Sequence, residues 1–132
     1  MREIYLKGFE ICVKESQPHF IMTSYNLING VHSCNRKDLI TDILRNEWGF
    51  EGVVMTDWLV TGGMTINEGE KWPSASAAGN VKAGNDITMP GIPADKADIE
   101  DALVNPEHPY ALTRNDLLAC AERVLDKILL LA

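Results

Sequence analysis

A chain of 132 residues with 45% apolar content suits one globular domain of ordinary size. Its formal net charge of −7, with Lys and Arg scattered along the chain, excludes a nucleic-acid or anionic-membrane surface, which needs clustered cations. The longest apolar stretch, Ile128 to Ala132, is far too short to span a bilayer.

In chain order, Met1 to about Ser16 reads as an amphipathic helix, with Ile4, Tyr5, Gly8, Ile11, Cys12 and Glu15 at helical spacing. It is charged from Arg2 onward and has no apolar h-region, so it does not read as a secretory signal. No capping residue precedes it, as expected of a chain entered in mid-fold. The helix should stop before Pro18, because a residue preceding proline is biased away from helical geometry. Phe20 to Ser24 is the first strand. It runs into Tyr25-Asn26 and a loop that turns at Asn29-Gly30.

Asn35 is the expected N-cap of the next helix, with Asp38 three residues on and an apolar stripe of Leu39, Ile40, Ile43 and Leu44 ending near Gly49. Gly52 to Thr56 is a second strand, nearly all apolar, as when both faces are covered. Leu59 to Trp72 contains Gly62-Gly63 and Gly69 without a clear period and reads as a long loop. Ser74 to Ala83 is an Ala-rich helix with Pro73 near its start and Gly84 as its cap. Asp86 to Met89 is the third strand and runs into Pro90-Gly91.

A short helix is expected over Asp95–Leu103 and a turn over Asn105–Pro109. Thr113 with Asp116 forms a capping box for a last helix that carries Leu117, Ala121, Val124, Leu125, Ile128 and Leu129. Three apolar runs about thirty residues apart, with helices between them, are consecutive βα units of a parallel sheet.

Three segments carry a family signature in order: Phe20 to Gly30 (FIMTSYNLING), Asn46 to Trp58 (NEWGFEGVVMTDW) and Val81 to Gly91 (VKAGNDITMPG). Together they resemble the last three strand regions of the catalytic barrel of glycoside hydrolase family 3, which includes β-glucosidases, β-xylosidases and N-acetyl-β-glucosaminidases. The resemblance implies an α/β fold, a partial (β/α)8 TIM barrel made of the last three βα units plus a C-terminal helix. Residues 1–132 would then form the C-terminal half of a family 3 barrel domain. A complete barrel needs roughly 250 residues.

A strand that delivers a carboxylate at its C-terminal tip is how such a barrel places catalytic groups. By the resemblance, Asp57 is the nucleophile of a retaining mechanism and forms a covalent glycosyl-enzyme. Trp58 offers a ring face on which a pyranose stacks, Tyr25 supplies a phenol beside the nucleophile, and Met89, with Pro90 and Gly91, lines the sugar pocket. Asn26 and Asn29 are expected to shape their loop by side-chain-to-backbone bonds. Asp86 begins its strand and is expected to be structural, on the side of the barrel away from the catalytic rim. Glu68 and Glu70 read as solvated loop charge.

Retaining hydrolysis needs a second carboxyl about 5–5.5 Å from the first. In the family this acid/base comes from outside the matched segment, as do the Lys-His pair and the Asp that bind sugar hydroxyls. The expected substrate is a β-linked sugar, foremost a β-glucoside, with the isolated chain inactive or nearly so. No cofactor or metal is expected, since His19, His32 and His108 show no ligand spacing and no nucleotide-binding motif, GxGxxG or GxxxxGK[ST], follows any strand. Cys12, Cys34 and Cys120, odd in number and without a CxxC, read as free thiols of a reducing, cytoplasmic compartment.

Strands at the edges of a half-barrel expose unpaired N–H and C=O groups. The expected partner is therefore a second copy, in a homo-oligomer, or the missing N-terminal barrel half. The rival reading is a non-catalytic barrel fragment that self-associates and binds carbohydrate weakly.

Overall fold

The computed structural model describes residues 1–62 and 74–132. Strands β1 (Phe20–Met22) and β4 (Val53–Met55) pair in parallel, with Phe20 opposite Val53, Ile21 opposite Val54 and Met22 opposite Met55. On the other side of β4, Ile87 forms a parallel bridge to Met55. The order of the three segments is thus the one expected of successive βα units.

The third segment is shorter than the sequence suggests, and the reason is chemical. The Val54 N–H donates to the Asp86 carboxylate at 2.8 Å rather than to a backbone carbonyl. A side chain has taken a ladder position. The neighbouring backbone bonds survive, from Asp86 and Ile87 N–H to the Val54 carbonyl (2.8 and 3.2 Å) and from Thr56 N–H to the Ile87 carbonyl (3.0 Å).

After β1 the chain forms a small antiparallel hairpin, β2 (Leu27–Ile28) with β3 (Val31–His32). Asn29 and Gly30 have φ of 53° and 81°. Two successive positive φ values are the geometry of a type I′ turn, which asparagine followed by glycine favours. Asn26 does not bond to backbone as expected: its side chain accepts from the Ser24 hydroxyl.

The helix that follows is π-wound, Asp38–Glu47, with Lys37 at its start and no side-chain cap. Asn35 does not cap it. Instead Asn35 ends a 3-10 turn, Ser33–Asn35, and its amide reaches across the fold. Its Nδ2 donates to the Ser76 carbonyl (2.8 Å) and to Asn80 Oδ1 (2.7 Å), while its Oδ1 accepts from the Ser76 N–H (3.0 Å). A side chain committed to tertiary partners is not available to its own helix.

Helix α1 (Lys7–Ser16), preceded by a π-helical turn at Arg2–Leu6, buries only Val13, and Ile4, Tyr5, Phe9 and Ile11 stay exposed. Val13 joins Ile40, Leu44, Trp48, Phe50, Val54 and Ala83 in the main core. Helix α2 (Ala77–Ala83) starts at Ser76, whose hydroxyl accepts from the Gly79 N–H, and ends at Gly84 with φ of 104°. Pro73 lies outside the described residues.

Helix α3 (Pro93–Val104) begins at its proline, two residues before the expected Asp95. That residue closes the first turn by accepting from the Ile92 N–H at 2.8 Å. Helix α4 (Arg114–Leu131) opens with the Thr113–Asp116 capping box. Leu125, Ile128 and Leu129 remain exposed on α4. Among the described residues, the parallel segments β1, β4 and Ile87 are too short to cover every apolar helix face.

Two local clusters give testable behaviour. Asp98 accepts from the Ala78 N–H (2.9 Å) and the Ser76 hydroxyl (2.7 Å), and its other oxygen meets His108 Nε2 at 3.1 Å. Burial pushes this carboxyl up, but these hydrogen bonds outweigh it and hold Asp98 below its ordinary value. The stability it adds is therefore present above the unfolded-state value of about 4 and is lost as pH falls through the lower folded value. Protection of the Ala78 amide, measured against its intrinsic exchange rate at each pH, should fall below pH ~4 and hold above it.

Among the thiols, burial pushes Cys34 up to about 12 and also raises Cys120, whereas Cys12 is exposed. A thiol reagent at neutral pH should modify Cys12 alone in the native protein and all three cysteines in urea. Modification of Cys34 under native conditions would contradict this packing.

Candidate active site

Strand β4 is apolar because both its faces are covered, and its direction carries the chain out at Thr56 into Asp57 and Trp58. Asp57 is half-buried at this tip, and its Oδ1 accepts from the Trp58 N–H at 2.7 Å. Tyr25 arrives from the C-terminal end of the adjacent parallel strand, β1. Its hydroxyl donates to the Trp58 carbonyl at 2.5 Å. Partial burial and the neighbouring Asp57 carboxylate hold the Tyr25 phenol above its ordinary range, so it stays a neutral donor at physiological pH.

Parallel pairing of β1 and β4 is what brings Tyr25 and Asp57 together, because parallel strands end on the same side. The hairpin supports this arrangement from behind. Ser33 Oγ donates to the Ser24 carbonyl (2.5 Å) and accepts from the Ser24 N–H (3.2 Å), and His32 Nδ1 lies 3.3 Å from the Tyr25 carbonyl.

Met89 comes from the third segment and is also at this end. Its N–H donates to Thr56 Oγ1 at 2.9 Å, and its carbonyl accepts from the Leu59 N–H at 2.9 Å. Leu59 has φ of 59°, an uncommon conformation for a residue with a side chain. That turn leaves Trp58 54% exposed, with its ring accessible to a ligand. Asp57, Tyr25, Trp58 and Met89 therefore share one end of the sheet. Thr56 is fully buried here and was not among the residues the sequence singled out. A polar side chain closing an apolar strand is its one signal, since a buried hydroxyl requires a partner.

Asp86 lies at the opposite end of its segment. Its side chain is 0% exposed and is held by Arg45 Nη2 (2.7 Å) and Arg123 Nε (2.6 Å). It is a structural group. Glu68 and Glu70, with most of the Leu59–Trp72 loop, lie outside the described residues. Among the described residues, no group of three or more His, Cys, Asp and Glu side chains is placed to hold a metal. A groove of about 1120 Å³ runs between Ile87, Thr88 and Ile92 on one side and Leu117, Cys120 and Val124 on the other. It does not include Asp57, Tyr25 or Trp58.

The family model described as the glycosyl hydrolase family 3 N terminal domain matches residues 1–126. The chain belongs to glycosyl hydrolase family 3.

Among curated relatives, beta-glucosidase B of Emericella nidulans is 46% identical over 91 residues, covering 69% of this chain and 9% of that protein. The exo-alpha-(1->6)-L-arabinopyranosidase of Bifidobacterium breve is 62% identical over 58 residues, covering 44% of this chain and 8% of that protein. Beta-glucosidase 3B from Thermotoga neapolitana, solved in complex with alpha-D-glucose, superimposes with a TM-score of 0.76 at 34% identity, over 95% of this chain and 16% of that one. The family 3 chain described here thus spans less than a fifth of the length of these relatives.

Proposed function

We propose that this chain forms the last three βα units and trailing helix of a family 3 catalytic barrel, and that it supplies the nucleophile for retaining hydrolysis of a β-glucoside. The observation that carries the reading is the position of Asp57 at the C-terminal tip of β4, with the Tyr25 phenol and the Trp58 ring beside it. Asp57 attacks the anomeric carbon, Tyr25 holds the nucleophile and the developing charge, and Trp58 and Met89 contact the sugar.

The acid/base and the hydroxyl-binding residues belong to the remainder of a longer protein. Without general acid catalysis the rate falls by ~10²–10⁴-fold, and loss of the other strands removes positioning as well. No metal or cofactor enters the chemistry. The substrate class draws support from the glucosidase relatives, and the buried thiols of Cys34 and Cys120 suit a reducing, cytoplasmic compartment.

A second reading has its own observation. Phe20 and Met22 on β1 and Leu129 on α4 are exposed, which favours a non-catalytic fragment that self-associates through them and binds carbohydrate weakly.

Incubation with a 2-deoxy-2-fluoro-β-glucoside bearing an activated leaving group separates the two, because such a leaving group needs no acid. Intact mass should show one covalent sugar, mapped by peptide sequencing to Asp57. A folded sample that forms no adduct, and that light scattering shows to be oligomeric, would favour the fragment reading.

A further inference from the structure

We propose that Thr56 is a positioning residue for Asp57: its buried hydroxyl ties the strand tip that carries the carboxylate to Met89. The proposal rests on the reading of Asp57 as nucleophile.

The segment from Thr56 to Leu59, which holds both Asp57 and Trp58, is pinned to the third strand segment at three points. Thr56 N–H donates to the Ile87 carbonyl at 3.0 Å, Thr56 Oγ1 accepts from the Met89 N–H at 2.9 Å, and Leu59 N–H donates to the Met89 carbonyl at 2.9 Å. Asp57 lies between the two Met89 contacts. Its own Oδ1 accepts from the next residue's N–H, and a bond to the adjacent peptide does not by itself fix where the turn points.

The Thr56 side chain suits this task. It is fully buried, and its branch at Cβ leaves few rotamers, so Oγ1 is held at one place. The hydroxyl completes a bracket whose other arm is the left-handed Leu59. Opening the Thr56 arm would leave the Asp57–Trp58 turn anchored to Met89 on one side only. A displacement of about 1 Å at a nucleophile is enough to cost up to about a hundredfold in rate.

Thr56→Val keeps the volume and branching but removes the acceptor, whereas Thr56→Ser keeps the acceptor. In T56V, exchange of the Met89 and Leu59 amides should accelerate about tenfold or more through loss of the bracket. The Tyr25 titration, resolved from Tyr5 and Tyr110 by ring-carbon NMR, should move back toward an ordinary tyrosine as Asp57 leaves it. Adduct formation with the fluoroglucoside should slow about tenfold or more. T56S should behave as the wild type does in all three.

A T56V protein with unchanged Tyr25 titration and unchanged Met89 exchange overturns the proposal, as does T56S behaving like T56V. If the wild type forms no adduct but Tyr25 and Met89 respond as described, the nucleophile reading fails and the positional coupling stands. If T56V does not fold, the wild type decides, since a Met89 amide that exchanges like an open peptide removes the bracket.

Discussion

Asp86→Ala is expected to lower the unfolding free energy by about 3–5 kcal/mol, the usual cost of removing one partner from a buried ion pair. The side chain is 0% exposed and answers three groups at once: Arg45 Nη2, Arg123 Nε and the Val54 N–H. Burial pulls the Arg45 guanidinium down from its ordinary range, and the nearby Arg123 charge acts in the same direction; Asp86 is what opposes both. Without the carboxylate, two cations face each other in a partly dry site and a strand N–H loses its acceptor.

Arg45 retains its bonds to the Gly52 and Gly84 carbonyls, and Arg123 is partly open to water, so some of the cost is recovered. Asp86→Asn keeps an acceptor for Val54 without the charge and should fall between wild type and alanine. Urea denaturation at constant m-value measures both. A loss below about 1 kcal/mol for D86A would show that the triad contributes no more than an exposed pair.

Asp57→Asn is expected to abolish covalent labelling by the activated fluoroglucoside, a fall of at least about 10⁴-fold, because an amide cannot serve as the attacking oxygen. Stability should change by no more than about 0.5 kcal/mol, since the carboxamide oxygen of D57N would still accept the Trp58 N–H and the site is half-exposed. The contrast with Asp86 is the test. On the proposed function, the carboxylate at the exit of one strand serves chemistry, whereas the one at the entrance of the neighbouring segment serves folding. If D57N retained the adduct at the wild-type rate, another nucleophile would be responsible. If it lost several kcal/mol, Asp57 would be a structural cap.

Much of this division was legible in the sequence. Asp57 follows an apolar run and Asp86 precedes one, so in a parallel sheet they fall at opposite ends. Tyr25 and Met89 follow by the same reasoning, since each ends its own run. Thr56 was not legible. Its role depends on an amide 33 residues away in sequence, and nothing local distinguishes it from any threonine closing a strand. Asn35 shows the opposite error. Its position before an apolar stripe has the pattern of an N-cap, yet Ser76 and Asn80 claim its amide.

The residues alone determined what short-range physics controls. The Thr113–Asp116 box starts α4, Gly84 ends α2 and Asn29-Gly30 turns the hairpin, because the partners in each case lie within about four residues and the backbone geometry is intrinsic to the residue type. Only the tertiary structure decided which polar side chains were taken from local roles and which apolar faces were covered. Asp86 meets arginines from two helices, Asn35 binds across to Ser76, and the stripes of α1 and α4 stay open. Those outcomes depend on the packing of segments distant in the chain, where a buried polar group takes whichever partner spares it the cost of being unsatisfied.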